Sequence, residues 1–525
     1  MKSVMSHSFS QVPKAEIQRS SFNRSHGIKT TFDAGYLVPI FVDEVLPGDT
    51  FNLRTSAFAR MATPIYPVMD NMYIDTFYFA VPKRLLWSNW EKFMGQQDNP
   101  GDSTDYIIPT MTAPPGTGYG EGTVFDHLGI PTKVEGLQHN SLPLRAYNLI
   151  YNEWFRDQNL QDSVAVPQGD GPDDPTVFNL LRRGKRHDYF TSALPWPQKG
   201  DAVDIPIGIS APLVVTGDGR PSFDIGGEIT NIGSDAVGFQ NTIWSNTLTN
   251  ANPAEWADPK LEADLTNATA ATINQLRQAF QVQKMYERDA RGGTRYTEVI
   301  RSHFNVVSPD ARLQRPEFLG GGSSPINITP VASTADIESV GGQRTVGDLG
   351  AMGTTSFQGH GFSKSFTEHC YIIGLANVRA DLTYQQGLNR MWSREDRLDF
   401  YWPALAHLGE QEVLNKEIFA QGAANPVTDD EVFGYQERFA EYRYKPSEIH
   451  GLFRSNSDAP LDAWHLSQDF ESLPTLSPAF IEDNPPIDRV VAVPSEPDFI
   501  ADFYHKLTCA RPMPLFGVPG NIDRF

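Results

Sequence analysis

Cysteine is nearly missing from this sequence: Cys370 and Cys509 are the only two in 525 residues. Two thiols build neither a disulfide scaffold nor a Cys-based zinc module, so both are expected as buried free thiols. No run of 18 apolar residues occurs, so no membrane-spanning helix and no membrane insertion are expected. The opening Met1-Lys2-Ser3-Val4-Met5 lacks the apolar stretch of a secretory leader, and none is expected. Bases are scarce beside acids. Lys and Arg number 43 against 64 Asp and Glu, a formal net charge of −21. That balance argues against a protein that coats nucleic acid with its whole surface.

Catalytic signatures are missing too. The strings H-E-x-x-H and G-x-S-x-G and the EF-hand loop do not occur. Gly116-Thr117-Gly118-Tyr119-Gly120-Glu121-Gly122 has neither dinucleotide spacing nor a following Lys-Ser/Thr, and reads as a flexible loop. The twelve histidines are scattered, none at ligand spacing from a second strong donor. No cofactor is expected, and no metal ligand can be assigned. His369 and Cys370 are adjacent, and adjacent strand residues point to opposite faces, so they read as structural and not as a nucleophile pair. Nothing in the sequence positively supports an enzyme.

What is present is a globular composition, 40% hydrophobic and 11% aromatic, with 42 Gly and 39 Pro. The Gly and Pro content points to many turns and long loops. The length suits two to four domains, or one large β architecture with insertions. Strands are read at Tyr36 to Val42, Thr50 to Met61, Asp70 to Val81 and His369 to Leu382. In the third, Tyr73, Phe77, Phe79 and Val81 alternate with Met72, Ile74 and Tyr78, so it should be covered on both faces. Helices are expected at Arg84 to Met94, at Leu142 to Asp157 with Ser141 as N-cap and Pro143 in its first turn, and at Ile273 to Ala290 with a Thr272/Gln275 capping box.

Charge is unevenly spread. Residues 1–31 hold Lys2, Lys14, Arg19, Arg24 and Lys29 against Glu16, net +4, whereas residues 201–270 are net −8. The former reads as a basic N-terminal arm and the latter as a polar surface insertion with short strands. The last 55 residues hold nine prolines, from Pro474 to Pro519. They read as an extended arm whose aromatics, Phe516 and Phe525 among them, need a neighbouring surface. Arg182, Arg183, Lys185 and Arg186 form the densest basic cluster. Two readings stand side by side: phosphate contact with Tyr189, Phe190 and Trp196 stacking on unpaired bases, or pairing with the chain's own acids, such as Asp173 and Asp174. The stretch Glu287 to Tyr296, with Arg288, Arg291 and Arg295, reads as a polar network at a helix end or a subunit seam.

Several long strings then carry a resemblance. Lys185-Arg186-His187-Asp188-Tyr189-Phe190-Thr191-Ser192-Ala193-Leu194-Pro195-Trp196-Pro197 resembles a hallmark of the major capsid proteins of the Microviridae, small icosahedral single-stranded DNA phages, in their gokushovirus branch. Tyr147-Asn148-Leu149-Ile150-Tyr151-Asn152-Glu153-Trp154, Glu287 to Tyr296, Ser308 to Glu317 and Pro512-Met513-Pro514-Leu515-Phe516-Gly517 are similar in the same order, so the likeness runs along the whole chain. It is weakest over residues 201–270. It implies a mainly β protein, an eight-stranded antiparallel viral jelly roll with long inserted loops and a few short helices. It implies a T=1 shell of sixty copies, built through pentamers, around circular single-stranded DNA. The implied partners are a small basic DNA-binding protein, a scaffolding protein, a minor or pilot protein and a host cell-surface receptor. The implied location is the virion, with synthesis in the bacterial cytoplasm.

On this reading the chain divides into the arm 1–31, a jelly-roll core over 32–200 and 292–470, an insertion over 201–291 that ends in a helix and forms a threefold protrusion, and the C-terminal arm 471–525. The basic arm and the 182–186 cluster become candidates for contact with nucleic acid or an internal protein. Arg288, Arg291, Arg295, Phe516 and Phe525 become candidates for subunit contact. The alternative is a β-sandwich glycan-binding protein or a spike.

Overall fold

The computed structural model describes residues 18–200, 213–216, 222–225, 228–231, 254–258, 260–263, 273–293, 296–305, 314–335, 337–339, 342–344 and 346–516. Two compact units emerge, one of residues 1–197 with 293–525 and one of residues 198–292.

The first unit is built on nine strands: β1 Ser20–Asn23, β2 His26–Phe32, β3 Val38–Val45, β4 Thr50–Met61, β5 Met72–Pro82, β6 Glu317–Ala332, β7 Leu349–Ser365, β8 Cys370–Ala380 and β9 Phe499–Arg511. Every pairing among them is antiparallel. The order across the sheet is β1/β2, β9, β4, β7, β6, β5, β8, β3. β1 and β2 follow one another along the same edge of β9, against 508–511 and 499–505. The nine strands therefore fill eight lanes of a curled sheet, a jelly-roll architecture.

β6 turns the corner. Residues 317–326 pair with β5, and residues 327–332 pair with β7. Its Gly321 and Gly322 permit the close approach there. A Cβ on Gly321 would stand 2.0 Å from Thr76 O, and one on Gly322 would stand 2.4 Å from the His360 ring. Glycine is required wherever a backbone or a ring comes that near.

Alternation explains the core. Phe51, Leu53, Ala57 and Ala59 of β4 and Phe499, Ala501, Phe503 and Leu507 of β9 point inward and are buried. They meet Ile40, Phe41, Ile74, Tyr78 and Val378 from the facing strands. Each such large apolar side chain contributes about 1.5–3 kcal/mol on burial. β5 is covered on both faces: Met72, Ile74 and Tyr78 join this interior, while Phe79 and Val81 join a second cluster under the inserted loops.

That second cluster is closed by α1, Leu142–Ile150, through Leu142, Ala146, Tyr147 and Ile150. The expected helix to Asp157 continues only as a π turn over Tyr151–Phe155, where Arg156 N–H donates to Tyr151 O at 2.9 Å. Trp154 donates to Pro316 O, and Asn152 bonds Val164, and these outside partners compete with regular helix. Ser141 sits at the N-cap without capping; its hydroxyl donates to Pro109 O instead. The expected helix from Arg84 to Met94 is two short turns, Lys83–Leu85 and Trp90–Phe93.

Other expectations need correction. The glycine loop 116–122 is pinned, with Tyr119 buried, stacked 3.9 Å from Phe125 and bonded to His139. The segment 471–525 is not an arm throughout, because 499–511 is β9, paired on both sides. Likewise residues 20–31 of the basic arm lie in the sheet. Period-2 burial decides both cases, since Phe499, Phe503 and Leu507 have a core to enter.

The second unit contains short antiparallel pairings, 222–225 with 228–231 and 254–258, and 213–216 with 260–263. It ends in α2, Ile273–Gly292. Thr272 of the expected capping box lies outside the described residues. A further helix, α3, spans Tyr296–Phe304 in the first unit.

Candidate assembly and nucleic-acid surfaces

The 182–186 cluster is engaged inside the subunit. Arg182 donates to Ala34 O and Asp483 O and stacks 4.0 Å over Tyr36. Arg183 pairs with Asp75 at 2.6 Å, and Asp75 also holds Arg379 at 3.0 Å. Lys185 is largely buried, donates to Phe480 O at 2.6 Å, and its ammonium is pushed down in pKa by burial. Arg186 pairs with Asp381 at 2.8 Å and lies over Tyr73. The acids that answer the cluster are Asp75 and Asp381. Asp173 is taken elsewhere, in a fully buried bidentate pair with Arg145 at 2.7 Å for both contacts. Tyr189 and Phe190 are 4% exposed and pack with Tyr384 and Phe433, so neither is free to stack on a base. Trp196 is half-buried.

In the N-terminal arm, Arg19 donates to Thr50 Oγ1 at 2.5 Å, Arg24 pairs with Asp43 at 2.5 Å, and Lys29 stands 3.4 Å from Asp502. Lys2 and Lys14 lie outside the described residues, as do Arg295 and Phe525. Arg288 is exposed on α2, whose Phe280 and Met285 are also exposed, and Arg291 is half-buried at its end. Phe516 is 79% exposed. Within the first unit, the described bases of the 182–186 cluster and Arg19, Arg24 and Lys29 share no side-chain partner.

The described candidates for nucleophile and acid–base chemistry are held in structural roles. Burial pushes the Cys370 thiol up to about 12, beside Glu368 and Glu317, and His369 packs on Trp90. A cavity of about 220 Å³ contains Glu417 and Glu441, the pairing a glycosidase would need. Both carboxylates have structural partners. Glu417 accepts from Arg390 at 2.8 Å, Leu414 N–H at 3.0 Å and Tyr189 at 2.8 Å, while Glu441 accepts from Arg394 and Gln411. Among the described residues no group of three His, Cys, Asp or Glu could hold a metal ion, and no helix is long and apolar enough to cross a membrane.

Sequence reasoning missed an exposed apolar stretch. Between residues 388 and 408, Met391, Trp392, Leu398, Phe400, Tyr401 and Leu408 are all exposed, Trp392 by 71% and Leu398 by 61%. The segment consists of short 3-10 turns, so no helical or strand period marks it. The available signal was bare density of large apolar residues between turns. Exposed apolar patches are features of interaction surfaces.

Comparison with known proteins agrees with this build. The family model described as capsid protein (F protein) matches residues 10–521. Capsid protein VP1 of Bdellovibrio phage phiMH2K is 53% identical, over 99% of this chain and 98% of its own length. Capsid protein VP1 of Chlamydia phage 1 is 45% identical over 99% and 98%, and that of Spiroplasma virus 4 is 38% identical over 98% and 97%. Similarity of this extent to phage capsid proteins, along nearly the whole of each chain, leads to one assignment: the chain belongs to the capsid protein (F protein) family, a structural and non-enzymatic one.

Proposed function

We propose that this chain is the shell-forming subunit of a small icosahedral phage, closing as sixty copies in a T=1 particle around circular single-stranded DNA. The observation that carries the reading is the uncovered segment 388–408, in a chain whose family is one of capsid proteins. A jelly roll presents such loops at its ends, and closed symmetry repeats one modest contact many times, which makes weak seams collectively strong. The unit 198–292 suits an outward protrusion that meets the bacterial surface, since it interrupts the core between residues 197 and 293. With −21 charges per subunit the shell is a poor neutraliser of DNA, which favours a separate small basic protein inside. Scaffolding and pilot proteins complete the partners of this reading.

The test is a Trp392→Ser, Leu398→Ser double variant, expressed with the phage's other structural genes and viewed by electron microscopy. Both side chains are more than half exposed, so the subunit should melt as the wild type does. Closed particles are expected to disappear. Normal particles from the double variant would remove this segment from the seams.

A further inference from the structure

The half of the sheet formed by β2, β9, β4 and β7 is packed on one side only. Its inner side carries the buried Phe51, Leu53, Phe503 and Leu507. Its outer side is open along β4 and β9: Asn52, Arg54, Phe58 and Arg60 are exposed, as are Ile500, Asp502, Tyr504, Lys506 and Thr508. Register sets Lys506 beside Arg54 and Ile500 beside Arg60. Lys29 stands opposite Asp502. Across β4, the neighbours are Ser363, Gly361, Gln358, Ser356 and Thr354 of β7.

This face reverses the charge of the chain. Lys29, Arg54, Arg60 and Lys506 stand against Asp502 alone, net +3, on a chain of net −21. The side chains of Arg54, Arg60 and Lys506 have no hydrogen-bond or ion-pair partner among the described residues, unlike every base of the 182–186 cluster. Two rings lie among these cations, Phe58 at 54% and Tyr504 at 52% exposure. Tyr504 is flanked across the strands by Gly27 and Ser56, small residues that leave its ring uncovered. The basic arm also arrives here, since Arg19 is bonded to Thr50 of β4 and the following β1 lies on β9.

We propose that this outer sheet face binds single-stranded nucleic acid, with phosphates on Arg54, Arg60 and Lys506 and unpaired bases on Tyr504 and Phe58. The chemistry fits that ligand in three ways. Unpaired cations attract the phosphate backbone. Exposed rings beside cations offer stacking without regard to sequence. The Ser, Thr, Asn and Gln lanes supply donors for phosphate oxygens. A subunit seam would instead be depleted of charge at its core, whereas Arg54 and Lys506 stand side by side at the middle of this face. The proposal rests on the reading of the chain as the subunit of a DNA-filled shell, and it places the genome contact on a face that the sequence candidates did not include beyond Lys29.

The experiment titrates the full-length chain with a fluorescein-labelled 20-nucleotide single-stranded oligothymidine, by anisotropy, across a range of salt. The variant Arg54→Ser, Arg60→Ser, Lys506→Ser should bind at least tenfold more weakly. Its log–log salt slope should be shallower by about 2, since each lost phosphate contact on a single strand removes about 0.7. The pair Phe58→Ser, Tyr504→Ser should weaken binding with the slope unchanged. Wild-type affinity and slope in the triple variant would overturn the proposal. A second arm co-expresses the triple variant with the other structural genes and measures shells and their DNA. Shells of normal mass with less DNA are expected. Loss of shells by a folded triple variant would make this face a subunit seam and would also overturn it. Absence of shells from the wild type counts against the capsid reading alone, because the oligonucleotide titration needs no assembly.

Discussion

At the scale of single residues, the decisive feature is where charge is spent. Arg145 is fully buried with its guanidinium divided between Asp173 and the carbonyls of Leu86 and Gly169. It ties the loop around Asp173 to α1, and removing one partner of such a pair strands a buried charge. Asp498 is a different case. It accepts Ala34 N–H, but burial, with Asp33 and Asp488 nearby, raises its carboxyl to about 6 from the usual 3.8. A folded-state pKa above the unfolded one means that the folded state holds the extra proton between about pH 4 and 6. Its contribution to stability is therefore present at low pH and lost as pH rises through 6. Asp498→Asn keeps the acceptor and removes the charge. It should stabilise the subunit by about 1–2 kcal/mol at pH 7.5, allowing for partial exposure, and by much less at pH 4.5. Urea melts of both proteins at the two pH values check this; an equal effect at both would contradict it. His505, driven down to about 4 by burial between Thr55 and Ile40 O, has the opposite sign and loses stability between pH 6.5 and 4. It is common to both proteins, so their difference isolates Asp498. Little of this was legible in the sequence. The density of bases at 182–186 was visible, but pairing with Asp75 and Asp381 spans more than a hundred residues of chain, and local spacing does not register such distances.

Among elements, legibility followed periodicity. β4 was read to the residue, and β5 and β8 within two residues at either end, because alternating or continuous apolar runs are local signals. β6 and β7, the two longest strands, were not read individually. Their glycines, Ser and Thr dilute the apolar period, and their pairing is with distant chain. β9 was hidden by the prolines around it, although Phe499, Ala501, Phe503, His505 and Leu507 alternate perfectly into the core. That placement sharpens the role of the terminus. Residues 512–516 lie outside the sheet, and Met513, Leu515 and Phe516 are exposed. Deleting residues 512–525 should leave the melting transition of the subunit intact, because β9 and its pairing are retained. It should abolish shell formation, because exposed apolar chain stiffened by Pro512 and Pro514 docks on a neighbour at low entropic cost. Light scattering of the truncated subunit with its partner proteins reads this; normal particles would contradict it.

For the molecule as a whole, the same division explains the acidic chain. Bases that the sequence offers as a cluster are consumed in holding loops to the sheet, whereas Arg54, Arg60 and Lys506 lie apart from it on one open sheet face. The jelly-roll class was legible from the strand rhythm together with the family resemblance. The surfaces were not, because a surface is defined by what the fold leaves uncovered. An uncovered apolar segment and an open basic face call for copies of the subunit to cover the one and a ligand to meet the other. The most direct measurement is the native mass of the assembly, by mass photometry or sedimentation, with the phage's other structural genes expressed alongside. Sixty copies of a 58.4 kDa chain give a species of about 3.5 MDa, and that mass is expected. A stable monomer or trimer as the final species would contradict it.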